Sequence, residues 1–262
     1  MKNIGYALVL LLIQPLGLAR GAESGSVPIL VYHRLGPIVA DAMTVKTSVF
    51  ASHLEYLQAN GCAIVPLRRL TAYIAGQAPL LLGCSVVITA DDGHKSIYSD
   101  MFPLIRRYHI PVTLFIYPSA ISNAKYAMTW QQLREMQDSG LVDIQSHTYW
   151  HPNFKKEKKR LAKDAYEKLI KIQLIKSKEV LQQRLGGHVD MLAWPFGLYD
   201  TELMDQARQL GYSAAFTLDA RPAGRSDNSM ALPRYLMAGQ GNSLGKLLAT
   251  SSRSHREMKG KP

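Results

Sequence analysis

Apolar and polar residues alternate along this chain in blocks that predict strands and helices in turn. Short runs rich in β-branched and aromatic residues predict strands over residues 27–32, 63–67, 86–89, 112–116, 142–145, 191–194, 213–217 and 231–236. Apolar residues at spacings of three and four predict helices over residues 47–60, 67–75, 98–108, 130–139 and 201–210. This alternation indicates a parallel sheet with helices outside it, either closed as a barrel or open and doubly wound.

The longest polar block covers residues 155–178 and carries nine lysines. Its apolar positions recur at spacings of four and three, at Leu161, Ala165, Leu169, Ile172 and Ile175. We therefore predict one amphipathic helix that buries these residues and turns its lysines outward. A solvated helix face is the favoured interpretation of the lysines, and a dedicated binding surface is the alternative.

The first 21 residues have the pattern of a secretory signal, with Lys2 before an apolar run and small residues after it. We expect residues 1–21 to be a signal peptide, residues 22–250 a single domain, and residues 251–262 a disordered basic tail. An uncleaved membrane anchor is the alternative, although the apolar run is shorter than the ~20 residues that span a bilayer. The expected location is the periplasm, or the outside of the cell and its envelope.

The formal net charge is +11 and falls to +9 if Lys2 and Arg20 leave with the signal peptide. A charge of this size favours anionic surfaces such as the cell envelope. No nucleic-acid recognition motif is present, so we expect no nucleic-acid partner, and we expect a monomer. Cys62 and Cys84 each precede a predicted strand, and an oxidising compartment would allow a disulfide between them, with two buried thiols as the alternative.

Chemically active residues stand where the predicted strands end. They are His33, Asp91, Asp92, His147, His151, residues 195–197 and Arg234. Functional groups gather at the carboxyl ends of the strands in both parallel-sheet architectures. Asp91 and Asp92 directly follow a buried strand, and a desolvated carboxylate needs a cation, hydrogen bonds or open solvent. A polar cap on the strand is the alternative for these two acids taken alone.

His147 and His151 lie four residues apart, a spacing that can turn two imidazoles to one side of a loop or helix. Two histidines and one carboxylate leave positions open for water and substrate, which is typical of a catalytic metal site. Asp91 or Asp92 could be the third ligand, and the other would lie beside the water as a base. Zn²⁺ is the expected metal, with Ni²⁺ and Co²⁺ as alternatives.

Three stretches resemble the motifs of a known enzyme family. Thr-Ala-Asp-Asp-Gly at residues 89–93, Ser-His-Thr-Tyr-Trp-His-Pro at 146–152 and Ala-Trp-Pro-Phe-Gly at 193–197 are similar to the first three motifs of the polysaccharide deacetylases, carbohydrate esterase family 4. Val-Tyr-His-Arg-Leu at residues 31–35 is similar to the branch that deacetylates poly-β-1,6-N-acetylglucosamine. The resemblance implies a single-domain α/β fold, a distorted (β/α)7-type barrel.

The implied activity is that of an exported, metal-dependent hydrolase that removes acetyl groups from the N-acetylglucosamine residues of a polysaccharide. Poly-β-1,6-N-acetylglucosamine is the expected polymer. Peptidoglycan and chitooligosaccharides are the alternatives, as is a carbohydrate-binding protein whose catalysis has weakened.

The resemblance also implies residue roles. Asp91 is the expected general base, and the expected metal ligands are Asp92, His147 and His151. Phe196, Trp194 and Arg234 are expected on the substrate and oxyanion side, with the backbone N–H of Phe196 as the oxyanion donor. No histidine follows on the last strand, since the only later one is His255 in the tail. His33 is therefore the expected general acid, and a hydrogen-bonded structural histidine is the alternative.

Two positions depart from the family pattern. Ala90 stands where an aromatic residue is usual, which we expect to leave the adjacent loop less firmly placed. Ala193 stands where an arginine often steadies the base, and we hypothesise that Arg234 supplies that charge from the last strand. Asp219 is a weaker candidate for orienting a neighbouring site residue. An aromatic floor for sugar rings is expected from four residues that could instead be core: Tyr149, Trp150, Trp194 and Phe196.

Overall fold

The computed structural model describes residues 25–79, 81, 83–239, 244–245 and 247–248, so the predicted signal peptide and tail lie outside the described residues. The strands of this part are Ser26–Val27 (β1), Ile29–Tyr32 (β2), Arg34–Gly36 (β3), Thr44–Lys46 (β4), Ala63–Ile64 (β5), Ser85–Asp91 (β6), Val112–Ile116 (β7), Val142–Ser146 (β8), Met191–Ala193 (β9), Ala214–Phe216 (β10), Ala223–Gly224 (β11) and Tyr235–Leu236 (β12). The α-helices are Thr47–Ala59 (α1), Leu67–Ile74 (α2), Phe102–Tyr108 (α3), Trp130–Asp138 (α4), Phe154–Arg160 (α5), Lys163–Leu185 (α6) and Thr201–Gln209 (α7). A π-helical turn, Ile97–Met101, leads into α3, and a 3₁₀ turn, Pro195–Gly197, follows β9.

The central sheet is parallel and curled and has eight strands. Seven follow the order β10-β9-β8-β7-β6-β2-β12, and β5 pairs with β6 off this path. Residues just before β12 bond to the β10 edge of this sheet, and β12 itself pairs at the other edge. Leu232 exchanges backbone hydrogen bonds with Ala215 and Thr217 beside β10, and β12 pairs with β2. The seven strands thus form the distorted (β/α) barrel expected from the sequence, and the open, doubly wound alternative is excluded.

Successive residues of the central strands face opposite sides of the sheet, as β geometry requires. On β6, Val86, Ile88 and Ala90 join the core cluster that also includes residues of α1, α3 and α4. Val87 belongs to a second cluster with Phe115 and Phe216, on the inner side of the barrel. Thr89 and Asp91 share the inner face with Val87, so β6 delivers the Asp91 side chain to the mouth of the barrel.

The lysine-rich block differs from its prediction. It forms two helices, α5 and α6, separated at Leu161, where the backbone is extended. The buried stripe of α6 is Tyr166, Ile170, Gln173, Leu174, Ser177, Leu181 and Leu185, whereas Ala165, Ile172 and Ile175 are exposed. The predicted buried face is therefore wrong at Ala165, Ile172 and Ile175, whereas Leu161 and Leu169 pack partly buried against the core. Two of the inward positions are polar, so a search for apolar spacing does not find them. The lysines are exposed apart from a half-buried Lys178, in agreement with a solvated face.

A disulfide joins Cys62, after α1, to Cys84, before β6, with the two Cα atoms 4.5 Å apart. The sequence left a disulfide and two free thiols open, and the structure has the disulfide. Among the described helices, none combines the length and the apolar character needed to cross a bilayer.

Candidate active site and metal centre

Asp91 ends β6 with its side chain only 2% exposed, and Arg234 supplies the opposite charge. The guanidinium donates to both carboxylate oxygens, at 2.8 Å to Oδ1 and 2.7 Å to Oδ2. Burial raises the pKa of Asp91, but the charge and hydrogen bonds of Arg234 outweigh burial and hold that pKa below its usual range. The carboxylate is therefore ionised at neutral pH.

Arg234 itself is fully buried, so it cannot face a substrate, and its assignment to the substrate side is corrected. Its Nε donates to the Thr217 carbonyl at 3.1 Å, and its guanidinium carbon lies 5.2 Å from the Phe115 ring centroid and 5.9 Å from that of Phe216. The structure therefore shows the contact hypothesised from the sequence, in which Arg234 reaches Asp91 where Ala193 offers no charge.

Asp92 begins the loop after β6 in the left-handed region, with φ 73°, and Gly93 follows with φ 78°. A residue with a Cβ is strained there and persists only where its surroundings fix it. The loop is fixed by Met128, whose N–H donates to the Gly93 carbonyl at 2.9 Å, and by Lys95, whose N–H donates to the Tyr126 carbonyl at 2.8 Å. Ala90, just upstream, is buried, and its effect on the loop stays a prediction.

His147 follows β8, and its Nδ1 lies 2.8 Å from the Ala193 carbonyl oxygen. Since a carbonyl only accepts, Nδ1 carries a proton, and Nε2 is the ring nitrogen left to face the carboxylate. That Nε2 lies 3.5 Å from Asp92 Oδ1, and His151 Nε2 lies 3.7 Å from the same oxygen. Two imidazoles and one carboxylate thus converge on a single point.

Asp92 Oδ1 is buried and has no hydrogen-bond partner in the described structure. The ligand atoms of Asp92, His147 and His151 lie within 4.8 Å of one another. A tetrahedral zinc ion with bonds of about 2.0–2.2 Å would separate its ligand atoms by about 3.4 Å. Burial, followed by the charge of His147, lowers the pKa of His151 to about 4, so His151 is in the neutral form that binds metals. These residues fit a divalent metal ion.

His33 lies directly after β2, and the pairing of Tyr32 with Ala90 sets it beside Asp91. It is 9% exposed, and its buried Nδ1 has no hydrogen-bond partner among the described residues. Burial lowers the pKa of His33, whereas the carboxylates of Asp91 and Asp92 act in the opposite direction. The unpartnered Nδ1 argues against the alternative of a hydrogen-bonded structural histidine.

The four candidate aromatic residues divide between surface and core. Phe196, at φ 59°, is 54% exposed, and its ring centroid lies 4.5 Å from that of His151. Trp150 is 45% exposed, and the Tyr149 ring lies 4.2 Å from Lys176 Nζ. Trp194 is fully buried and donates its indole N–H to the Met230 carbonyl at 2.9 Å. Its expected place on the substrate side is therefore wrong, because this side chain is part of the core.

Tyr117 lies at this site although the sequence did not predict it there. Its ring centroid lies 5.3 Å from that of His151 and 6.4 Å from that of His147, and its hydroxyl is 2.5 Å from that of Tyr126. Tyr117 directly follows β7, so the rule that examined strand ends for acids and imidazoles would have found it had aromatic residues been included.

Asp219 does not contact Asp91 directly. It accepts hydrogen bonds from Thr217 Oγ1 at 2.9 Å and from the Tyr199 hydroxyl at 3.3 Å. The Thr217 carbonyl in turn accepts from Arg234 Nε, so Asp219 is connected to Asp91 through two intervening residues, Thr217 and Arg234.

Comparison with known proteins agrees with this geometry. The family model described as polysaccharide deacetylase matches residues 83–215, half of the chain, and includes both aspartates and both histidines. The poly-beta-1,6-N-acetyl-D-glucosamine N-deacetylase of Staphylococcus epidermidis is 27% identical over 200 residues, which cover 74% of this chain and 68% of that protein. The protein of the same name from Escherichia coli K12 is 26% identical over 243 residues, which cover 79% of this chain and 36% of that longer protein.

Solved structures share the fold. IcaB from Ammonifex degensii superposes with a TM-score of 0.74 at 25% identity, over 87% of this chain and 97% of that one. The Streptococcus pyogenes deacetylase PplD, solved with acetate, superposes with a TM-score of 0.75 at 20% identity, over 86% of this chain and 97% of that one. With the family model matched across the barrel strands that carry Asp91, Asp92, His147 and His151, the chain belongs to the polysaccharide deacetylase family and is a hydrolase of carbon–nitrogen bonds other than peptide bonds.

Proposed function

We propose that this chain is an exported, metal-dependent N-deacetylase whose substrate is poly-β-1,6-N-acetylglucosamine. The observation that carries the proposal is the convergence of His33, Asp91 and the Asp92–His147–His151 group at one end of the barrel. The names of the Staphylococcus epidermidis and Escherichia coli relatives support this polymer. Zn²⁺ is the proposed metal, and Ni²⁺ and Co²⁺ are alternatives for the same donor set.

Asp92, His147 and His151 would hold the metal ion, which when bound lowers the pKa of a water molecule and polarises the acetyl carbonyl. Asp91 is the proposed base that accepts the proton of that water. Its depressed pKa keeps it ionised, and Arg234 holds its orientation through two hydrogen bonds. Each carboxylate oxygen has a second lone pair, so the contact with Arg234 leaves Asp91 able to accept a proton.

The departing nitrogen must receive a proton, because an amine anion is a very poor leaving group. His33 is the proposed donor, since the strand register puts it next to Asp91 and its buried Nδ1 has no partner among the described residues. The backbone N–H of Phe196 is the proposed donor to the developing oxyanion. Water adds to the carbonyl carbon, the carbon–nitrogen bond breaks, and the products are acetate and a free amine on the sugar.

The proposal also covers where the protein is located and what it associates with. The disulfide between Cys62 and Cys84 supports export, because disulfides persist in oxidising compartments. We propose residues 1–21 as the signal peptide, residues 22–250 as the catalytic domain and residues 251–262 as a basic tail. The exposed lysines of α5 and α6 support association with an anionic envelope surface, and we propose a monomer with no nucleic-acid partner.

A panel of purified glycans tests the substrate assignment. Acetate release is measured from poly-β-1,6-N-acetylglucosamine, peptidoglycan and chitooligosaccharides at equal acetyl concentration. We expect the highest kcat/KM on poly-β-1,6-N-acetylglucosamine. Activity on peptidoglycan alone would overturn that polymer, and one equivalent of metal without acetate release from any glycan would favour a carbohydrate-binding protein.

A further inference from the structure

The loop that carries the two histidines is strained at both ends. Thr148, with φ 65°, and His151, with φ 62°, both occupy the left-handed region, which residues with a Cβ rarely adopt. Within the loop, the His151 N–H donates a hydrogen bond of 3.2 Å to the Thr148 hydroxyl. Strained backbone of this kind persists where neighbouring groups determine it, so partners outside the loop are needed.

Gln173 on α6 supplies such a partner. Its Oε1 accepts the backbone N–H of Tyr149 at 3.1 Å and that of Trp150 at 2.9 Å, the two residues immediately before His151. The Gln173 side chain is fully buried, and its Nε2 has no partner in the described structure. Among the described residues, the hydrogen bonds that orient this amide all go through its oxygen, and both reach the histidine loop.

A second polar contact joins the same helix to the start of the loop. Ser177, one turn after Gln173, lies with its Oγ 2.8 Å from Ser146 Oγ. The Thr148 N–H donates to that same Ser146 Oγ at 3.2 Å. Ser177 thus makes contact just before His147, and Gln173 makes contact just before His151. The rest of the buried stripe of α6 is largely apolar.

We propose that Gln173 is a positioning residue for the metal centre, which holds His151 at its ligand position by fixing the Tyr149–Trp150 backbone. The proposal rests on the proposed metal-dependent function. It explains why a helix that packs against the barrel carries a buried amide where an apolar side chain would pack as well. Ser177 acts in the same way on the segment before His147.

Metal affinity provides the test, measured by competition with a chelator on metal-free protein. Gln173→Met keeps the side-chain volume and removes the acceptor, and loss of such a supporting contact weakens metal binding by about 10–100-fold. Gln173→Glu keeps an acceptor oxygen and should recover most of that loss. At saturating metal, kcat of Q173M should stay within a few-fold of the unsubstituted protein, since Asp91 and His33 are untouched.

Gln182→Met is the matched control. Gln182 lies on the same helix and its Oε1 also accepts a backbone N–H, that of Val189 at 3.3 Å, remote from the histidine loop. Its substitution should leave metal affinity unchanged. If Q173M does not fold, Gln173→Asn is used instead. Its shorter side chain moves the amide away from the Tyr149–Trp150 backbone by one methylene.

Equal metal affinity for Q173M, Q182M and the unsubstituted protein would overturn the positioning role. Failure of both Q173M and Q173N to fold would assign Gln173 to the stability of the fold and would also overturn it. If the unsubstituted protein bound no metal, the proposed function itself would fail, a result that is distinct from either of these.

Discussion

Asp91 and Asp92 are neighbours in sequence but have different surroundings. Asp91 lies on the inner face of β6, paired with Arg234. Asp92 lies in a left-handed turn near two imidazoles, and its Oδ1 has no hydrogen-bond partner among the described residues. Alternation along β6 and the change of φ at its end produce this difference. The sequence predicted two acids with separate tasks, and the geometry is consistent with a base and a metal ligand.

Asp91→Asn should lower acetate release by about 10²–10⁴-fold, the usual contribution of a general base. The bound metal should be retained, because Asp91 is not among the three converging donors. Asp92→Asn is the matched variant and should lose the metal. Elemental analysis of both proteins beside an acetate assay makes the comparison, and loss of metal from D91N would contradict the assignment of the base.

Arg234→Met should lower the free energy of unfolding by about 3–5 kcal/mol, because it leaves the buried Asp91 carboxylate without its partner. The double variant with Asp91→Asn should lose less than this, since the unpaired charge is then absent. Urea denaturation of metal-free proteins measures both values.

Arg160→Met is the control, because the Arg160–Glu157 pair is at the surface and such pairs contribute about 0–1 kcal/mol. A loss for R234M no greater than that for R160M would show that the buried pair does not stabilise this fold.

Strands and helices were predictable wherever apolar residues recurred at the regular spacing of one element type. β6, β7 and α1 match their predictions within two residues at each end. The lysine-rich block was predicted as one helix with the wrong buried face, because Gln173 and Ser177 are turned inward. Their buried side chains make hydrogen bonds to the histidine loop and to Ser146 directly before it. These tertiary contacts cannot be read from a helical pattern of apolar residues.

The disulfide connects two elements, the end of α1 and the start of β6, and closes a loop with a sequence separation of 22 residues. Replacing both cysteines by serine should lower the free energy of unfolding by about 3 kcal/mol, from the entropy of the opened loop. Urea denaturation of the double variant and of the reduced, unsubstituted protein should give the same loss. Equal stability of oxidised and reduced protein would contradict this expectation.

At the scale of the whole molecule, the barrel brings together residues that are far apart in sequence. The strand-end rule anticipated His33, Asp91, Asp92, His147 and His151 without any structure, because parallel strands share one carboxyl edge. It could not give distances, so the two hydrogen bonds between Arg234 and Asp91 and the burial of Trp194 emerged only from packing. The polymer is determined by the surface around the metal centre, which the pattern of strands and helices does not specify.

The proposed function requires this barrel to use one metal ion to release acetate from an N-acetylglucosamine polymer. Its most direct test is acetate release from poly-β-1,6-N-acetylglucosamine by protein as purified, after chelation, and after return of one equivalent of Zn²⁺. We predict that chelation abolishes acetate release and that one equivalent restores it. Acetate release that persists at the same rate in metal-free protein would contradict the claim.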